Sequence, residues 1–169
     1  MDNKNIYDTG LYLRLSKDDA DVDGSKKTES NSISSQRDIL RAYVQSHEDL
    51  QIYDIYIDDG YSGANFERPE FQRMMADVRA GKVNCVLVKD LSRFGRDYIE
   101  AGRFIQKTFP ALNVRFIAVT DGFDSLYADK TDRSLILPIK NFVNDSYCRD
   151  ISMKVKAQQK VKRMEGKCI

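Results

Sequence analysis

The sequence predicts an α/β fold, with a mainly parallel central sheet flanked by helices and a long C-terminal helix. Short apolar runs of strand length alternate along the chain with segments whose apolar residues recur at helical spacing. The run Cys85 to Val88 is continuously apolar, which is typical of a strand buried on both faces, and Val114 to Val119 repeats that pattern with Arg115 as its one polar residue. Residues 133–166 contain one proline and little glycine. We therefore expect a core over residues 1–132 and, over residues 133–169, a long helix of the same domain.

The first half of the chain gives a strand, a loop, a helix and a second strand. The first strand covers Gly10 to Leu15, and the polar stretch Lys17 to Asn31 predicts a long loop. From Ser32 onward, apolar residues recur at helical spacing. Residues 53–57 alternate between apolar and polar, which predicts a strand that ends at the turn Asp59-Gly60.

The second half continues the alternation. Pro69 suits the first turn of a helix and Gly81 can close that helix, because proline fits the first helical position and glycine the residue after the last. The strand at residues 85–88 follows. A helix over roughly Tyr98 to Phe109 then leads to the strand at residues 114–119.

Length and composition fit one soluble domain. The chain has 169 residues, 41% of them hydrophobic, which is enough for one sizeable core. The 27 Lys and Arg residues against 26 Asp and Glu residues neither indicate nor exclude a polyanionic partner. The longest apolar runs are of strand length and nothing resembles a signal peptide, so we expect a cytoplasmic protein without membrane association. The cysteines suit a reducing compartment and lack metal spacing: Cys85, Cys148 and Cys168.

The end of the first strand joins a hydroxyl to a basic side chain. Alternation places Tyr12, Arg14 and Ser16 on one face, while the three leucines between and before them face the other side. Serine at a strand end is usually a cap or turn residue. This pattern alone therefore leaves a nucleophile and a turn residue both open.

A loop with a second group of basic residues is predicted after the strand at residues 85–88, and this segment carries Lys89, Arg93 and Arg96. The carboxyl edge of a parallel sheet is where ligand sites of α/β proteins usually form. Guanidinium groups match phosphate oxygens, so Arg14, Arg93 and Arg96 can surround one phosphate and stabilise a pentacoordinate transition state.

The acidic residues of the same segment give an alternative interpretation. Asp90 and Asp97 can hold the arginines in ordinary ion pairs. The pattern predicts no metal ion, because His47 is the only histidine and fits a helix surface, and the acidic pairs at 18–19 and 58–59 have no obvious ligand partners. We expect no cofactor.

Basic residues concentrate near the C-terminus. Residues 149–167 contain seven basic and two acidic residues, which gives a local net charge of +5. Such a helix can lie along a phosphate backbone, although a solvated helix face has the same pattern. The candidate DNA-binding residues are Lys89, Lys154, Lys156, Lys160, Lys162 and Arg163.

Four segments in register resemble the resolvase/invertase catalytic domain of serine recombinases. The similarity runs from about Leu11 to Gly166. The stretches at residues 17–31 and 128–131 further resemble the large serine recombinases that act as transposases of mobile elements. The four segments are Tyr12 to Ser16, Gln36, Ser62-Gly63 to Arg68-Pro69, and Leu87 to Asp97.

The resemblance implies site-specific recombination of double-stranded DNA, in which a mobile element is excised or inserted through a 5′-phosphoserine intermediate. It implies Ser16 as the nucleophile, Gln36 as a residue that positions the site, and Lys154 near the active site or DNA. It further implies a homodimer formed through the long C-terminal helix and a tetramer at synapsis. The arginines implied to contact the scissile phosphate are Arg14, Arg68, Arg93 and Arg96.

One position departs from the family pattern. Many relatives have aspartate where this chain has Ser92, directly before Arg93. Asp90 can substitute for that carboxylate as the general base, or Ser92 can hydrogen-bond within the segment. The sequence leaves both open.

Two other classes of protein are compatible with parts of the pattern. A phosphoacceptor receiver domain of a signalling system also alternates strands and helices, with Asp18, Asp19, Asp58 and Lys89 as its site, but it needs no arginine cluster. A non-catalytic DNA-binding accessory protein is the other alternative. We see neither a helix-turn-helix nor a zinc ribbon, and therefore expect a catalytic fragment of a larger protein.

Overall fold

The structure is a computed structural model that describes residues 6–15, 31–63 and 65–128. Ser16, the predicted loop over residues 17–30, the domain boundary at residue 132 and the predicted helix with its candidate DNA-binding residues 154–163 lie outside the described residues. The strands are β1 Tyr7–Leu15, β2 Leu50–Asp59, β3 Cys85–Val88, β4 Arg115–Ala118 and β5 Phe123–Asp124. The helices are α1 Asn31–Gln45, α2 Pro69–Arg79, α3 Leu91–Phe94, α4 Tyr98–Arg103 and α5 Phe109–Ala111.

The strands form one sheet in the order β2-β1-β3-β4-β5. The strands β2, β1, β3 and β4 are parallel to one another, and β5 is antiparallel to β4. The predicted mainly parallel sheet is thereby confirmed. Because β2 lies on one side of β1 and β3 on the other, the strand order reverses between β1 and β3. In open α/β sheets, ligands bind outside the carboxyl ends of the strands at such a point.

Helices cover both faces of the sheet, and β1 separates two cores. Tyr12 belongs to an aromatic-rich core that includes residues of α2 and α4, whereas the leucines of β1 pack in a second core that includes residues of α1. The predicted alternation along β1 is confirmed by this division. Pro69 opens α2, and Gly81 follows its end with a positive φ of 71°, as expected for a residue that closes a helix.

Three features differ from the sequence-based expectation. The predicted helix over 98–109 is interrupted by a π-helical turn, Phe104–Thr108, which joins α4 to α5. Pro110 follows this turn and donates no backbone N–H, so a regular α-helical ladder cannot continue through it. The segment after β3 contains the short helix α3 where a loop was expected. The antiparallel strand β5 was not predicted, because two residues carry too little periodicity.

Candidate active site

Four arginines converge at the carboxyl edge of the sheet. Arg14 is the penultimate residue of β1, Arg68 is the residue that precedes α2, Arg93 lies in α3 and Arg96 follows α3. Burial and the charges of Arg68, Arg96 and Arg93 lower the pKa of Arg14 to about 10. The Arg14 guanidinium group therefore stays protonated at neutral pH. The arginines that the sequence analysis expects around one phosphate lie together in the structure.

The Arg14 side chain is buried, with 1% of its surface exposed. It donates three hydrogen bonds to backbone carbonyl oxygens: Nη2 to Ser92 at 2.9 Å, Nε to Arg93 at 3.3 Å and Nη1 to Tyr61 at 3.1 Å. Carbonyl groups satisfy the donors but do not neutralise the charge. Arg14 thus joins the end of β1 to the segments that follow β2 and β3.

Arg68 is equally buried and lies among aromatic rings. Its guanidinium carbon is 5.4, 4.8 and 5.2 Å from the ring centroids of Tyr12, Phe66 and Phe71. Nη2 donates to the carbonyl of Phe94 at 2.8 Å, whereas Nε and Nη1 have no hydrogen-bond partner among the described residues. Burial lowers the pKa of Arg68. Two donors of a buried cation are therefore available to a ligand.

Neither of these two buried arginines forms an ion pair with a carboxylate of the described residues. The carboxylates that the ion-pair alternative invokes act as helix caps. Asp90 Oδ1 accepts from the backbone N–H of Arg93 at 3.1 Å, and Asp97 Oδ1 accepts from those of Ile99 and Glu100 at 2.9 and 3.1 Å. The Ser92 hydroxyl donates to Asp90, so Ser92 does form a hydrogen bond within the segment, while a role of Asp90 as the general base stays a hypothesis.

Asp58 is a buried carboxylate that sequence reasoning assigned only to the receiver alternative. Its oxygens accept from the Tyr12 hydroxyl at 2.8 Å and from the backbone N–H groups of Glu70 and Phe71 at 3.1 and 3.0 Å. Burial raises the pKa of Tyr12, so the phenol remains the donor in this pair. With 1% of its surface exposed and its oxygens engaged, Asp58 is not placed to accept a phosphoryl group.

Gln36 connects α1 to the end of β1. Its Nε2 donates to the carbonyl of Arg14 at 3.3 Å and to the Ser32 hydroxyl at 3.4 Å, and its buried Oε1 has no partner among the described residues. The bond to Arg14 fixes the backbone two residues before Ser16. This geometry is compatible with the positioning role that the resemblance implies for Gln36.

The loop after β2 approaches the arginines closely at Gly63. A Cβ atom there would lie 3.0 Å from Cζ and Nη2 of Arg14 and 2.9 Å from Cγ of Arg96. The carbonyl of Gly63 accepts from the backbone N–H of Arg96 at 2.7 Å. Glycine at this position permits a contact that a side chain would obstruct, and its sequence signal was its place in the Ser62-Gly63 motif.

Lys89 follows β3 at the same edge, and its carbonyl accepts from the backbone N–H and hydroxyl of Thr120 at 2.8 and 2.9 Å. Over the part of the chain that the structure describes, no group of three or more His, Cys, Asp and Glu side chains can hold a metal ion. No described helix is both long and apolar enough to cross a membrane.

Comparisons with known proteins match this combination of fold and site. The family model for the N-terminal domain of resolvases matches residues 9–168. The N-terminal catalytic domain of TP901-1 integrase is 25% identical, with a TM-score of 0.62 over 85% of this chain and 98% of that domain. A resolvase family site-specific recombinase from Streptococcus pneumoniae is 25% identical, with a TM-score of 0.58 over 95% of this chain and 99% of the other.

A curated relative, the uncharacterized immunity region protein 3 of Bacillus phage phi105, is 31% identical over 81 residues, which are 48% of this chain and 90% of that protein. Its name assigns no activity. The fold and the arginine cluster at the sheet edge define the catalytic domain of a serine recombinase. The chain belongs to the resolvase family, whose members carry out site-specific recombination, and the receiver alternative is therefore wrong.

Proposed function

We propose that this chain cuts and rejoins double-stranded DNA through a covalent bond between Ser16 and a DNA phosphate, during excision or insertion of a mobile element. The observation that carries this proposal is the pair of buried arginines, Arg14 and Arg68, neither of which forms an ion pair with a carboxylate of the described residues. Asp58 attracts Arg68 only through space, because its oxygens accept from Tyr12 and from the backbone of α2, so a phosphate diester can still pair directly with the arginines. Ser16 comes directly after β1 in the sequence.

In the proposed reaction the Ser16 Oγ atom loses its proton and attacks a DNA phosphorus atom. The bond from phosphorus to the 3′-oxygen breaks, and that oxygen takes up a proton, so the products are a 5′-phosphoserine and a free 3′-hydroxyl. One phosphodiester replaces another, and a 3′-hydroxyl of a second strand can reverse the step. Rejoining therefore needs no ATP.

The arginines stabilise the charge that develops on the phosphate oxygens during both steps. Arg14 and Arg68 are fixed by backbone carbonyls and aromatic rings, so their orientation is set before the substrate binds. Arg93 and Arg96 follow in sequence from the same short segment. We assign these four arginines to the scissile phosphate and Gln36 to positioning of the end of β1.

DNA contacts outside the scissile phosphate are assigned to basic side chains. Each neutralised phosphate releases counterions, so affinity should fall steeply as the salt concentration rises. Membership of the resolvase family supports DNA as the substrate, and we extend this to a homodimer that forms a tetramer at synapsis. The residues assigned to the DNA backbone are Lys89, Lys154, Lys156, Lys160, Lys162 and Arg163.

The nucleophile is tested by trapping. The full-length protein is incubated with DNA from both flanks of its gene, and protein–DNA adducts are isolated under denaturing conditions and mapped by mass spectrometry. We expect the adduct on Ser16 and its complete loss in Ser16→Ala, with DNA affinity retained. Ser46→Ala is the control, because the Ser46 hydroxyl is exposed and donates to the Tyr43 carbonyl at 2.8 Å.

An adduct on another residue would refute the assignment to Ser16. DNA binding without any adduct, across all the DNA tested, would favour the accessory-protein alternative. In that case the arginine cluster would serve binding alone.

A further inference from the structure

The one-turn helix α3 accepts hydrogen bonds from both buried arginines. Its carbonyl groups at Ser92 and Arg93 accept from Arg14 at 2.9 and 3.3 Å, and the carbonyl of Phe94 accepts from Arg68 at 2.8 Å. Three consecutive carbonyls of α3 thus hold the two guanidinium groups. The position of α3 therefore determines where both cations lie.

These acceptors are available because α3 is so short. The last four carbonyl groups of any helix have no partner within it, and they form the negative end of the helix dipole. In a helix of four residues this applies to every carbonyl, and that of Leu91 accepts from the backbone N–H of Gly95 at 3.1 Å. Cations at the carbonyl end of α3 are stabilised by this arrangement.

One turn of helix is not stable alone, since nucleation of a helix is unfavourable. Two carboxylates order α3 at its amino end. Asp90 accepts from the backbone N–H of Arg93 and from the Ser92 hydroxyl, and Asp121 accepts from the backbone N–H of Leu91 at 2.6 Å. Asp90 therefore bonds to the same two residues whose carbonyls hold Arg14.

We propose that Asp90 is a positioning residue, which orders α3 and through it holds Arg14 and Arg68 in their places. In this role the carboxylate acts on the backbone of α3 and on the Ser92 hydroxyl. The effect on DNA cleavage rests on the function proposed above. The position of Arg14 does not, and it can be measured without DNA.

Asp97 offers a matched control. It caps the next helix, α4, by accepting two backbone N–H groups, in the same way that Asp90 caps α3. No hydrogen bond of Arg14 or Arg68 ends on α4. Removal of either carboxylate takes away one helix cap, but only Asp90 caps the helix whose carbonyl groups accept from Arg14 and Arg68.

The experiment follows the Arg14 Nε–H group by NMR in the 169-residue chain, with its signal assigned by its absence in Arg14→Lys. The group is buried and bonded to the Arg93 carbonyl, so we expect slow exchange with water. Asp90→Ala should accelerate that exchange by on the order of tenfold, a change within the range that loss of a helix cap produces in a local equilibrium. Asp97→Ala should leave it within about twofold.

Unchanged exchange in a folded Asp90→Ala protein, or equal acceleration in both variants, overturns the proposal. If Asp90→Ala does not fold, Ser92→Ala decides, because it removes the hydroxyl contact and keeps the cap. Ser92→Ala is then expected to accelerate the exchange by about two- to threefold. If the exchange rate does not change, the proposal is overturned.

The same substitutions in the full-length protein connect the position of Arg14 to the reaction. Asp90→Ala should lower the cleavage rate by on the order of tenfold relative to Asp97→Ala, with DNA affinity nearly unchanged. If Asp90→Ala accelerates exchange of the Arg14 Nε–H group as expected and the wild-type protein never cleaves DNA, the proposed function is wrong and the role of Asp90 stands. If cleavage is normal in Asp90→Ala, that role is wrong.

Discussion

At the two edges of the central sheet, buried arginines have opposite surroundings. Arg115 begins β4 at the amino edge, where it pairs with Asp49 at 2.6 Å and, through two nitrogens, with Asp124 at 3.0 and 2.7 Å. Burial alone would lower the pKa of Arg115, but the hydrogen bonds to Asp124 and Asp49 outweigh it and raise the pKa. At the carboxyl edge, Arg14 and Arg68 bond to carbonyl groups and their pKa values are lowered.

Under the proposed function, this difference separates a structural arginine, Arg115, from two functional ones, Arg14 and Arg68. A buried charge is expensive unless it is paired, so an unpaired buried cation is retained where a ligand supplies the opposite charge. Arg115 is neutralised by its own chain and has nothing left to offer a ligand. Arg14 and Arg68 lie among carbonyl acceptors and aromatic rings that fix their orientation, and neither forms an ion pair with a described carboxylate, as the proposed phosphate site requires.

The largest expected effect tests this separation with one substitution at each edge. Arg115→Met removes the ion-pair partner that Asp49 and Asp124 share, and it should lower the free energy of unfolding by about 3 kcal/mol. Arg14→Met removes the repulsion between Arg14 and the neighbouring arginines. It should therefore lower the free energy of unfolding by less than half as much as Arg115→Met does. Its cleavage rate should nevertheless fall by on the order of 100- to 1,000-fold. Urea unfolding of the chain and cleavage by the full-length protein measure both quantities.

Comparable stability losses, or cleavage reduced equally in the two variants after correction for the folded fraction, would contradict the separation. Arg73→Met is a further control. Arg73 is an exposed arginine that pairs with Asp54 and Glu70, and its replacement should change stability by less than about 1 kcal/mol.

The second prediction disturbs the carboxyl edge without removing a charge. Gly63→Ala places a methyl group against Arg14 and Arg96, and should lower the cleavage rate by about tenfold and the stability by about 1 to 2 kcal/mol. Gly102→Ala is the matched control, because a Cβ at that helical position meets no atom within 4 Å apart from its own stretch of helix backbone. It should stabilise the chain by about 0.5 to 1 kcal/mol. Equal cleavage rates in the two variants would show that the close approach at Gly63 does not orient the arginines.

Sequence periodicity was enough to predict the sheet and most of its helices, because strands buried on both faces and amphipathic helices leave strong patterns. The arginines could also be placed at one edge, since parallel strands bring their carboxyl ends together. The helix α3 was missed, because four residues carry no period and its order comes from Asp90 and Asp121. The three rings around Arg68 were missed as well, since they depend on how separate elements pack.

The same limit applies to the amino edge. Arg115 lies inside an apolar run. The sequence around it does not indicate that its partner is Asp49, which is 66 residues away. The sequence pattern therefore marks which arginines are candidates, while the pairing that divides them into two kinds is a property of the folded chain.

The smallest expected effect is a pH dependence that belongs to the amino edge. Burial would raise the pKa of Asp49, but its hydrogen bond to Arg115 and the charge of Arg115 outweigh burial, and the pKa lies below its ordinary value of 3.8. A carboxylate with a lowered pKa stabilises the folded state fully above its unfolded pKa, and that contribution is lost as pH falls through the folded pKa. The difference in unfolding free energy between wild type and Asp49→Asn should therefore be largest at about pH 5 and shrink toward about pH 3, as urea titrations at each pH can measure. The Arg115–Asp49 pair is partly exposed, so we expect a change of no more than about 1 kcal/mol. A difference that stays constant over this range would mean that Arg115 does not depend on the charge of Asp49, and the contrast between the two edges would then rest on Asp124 alone.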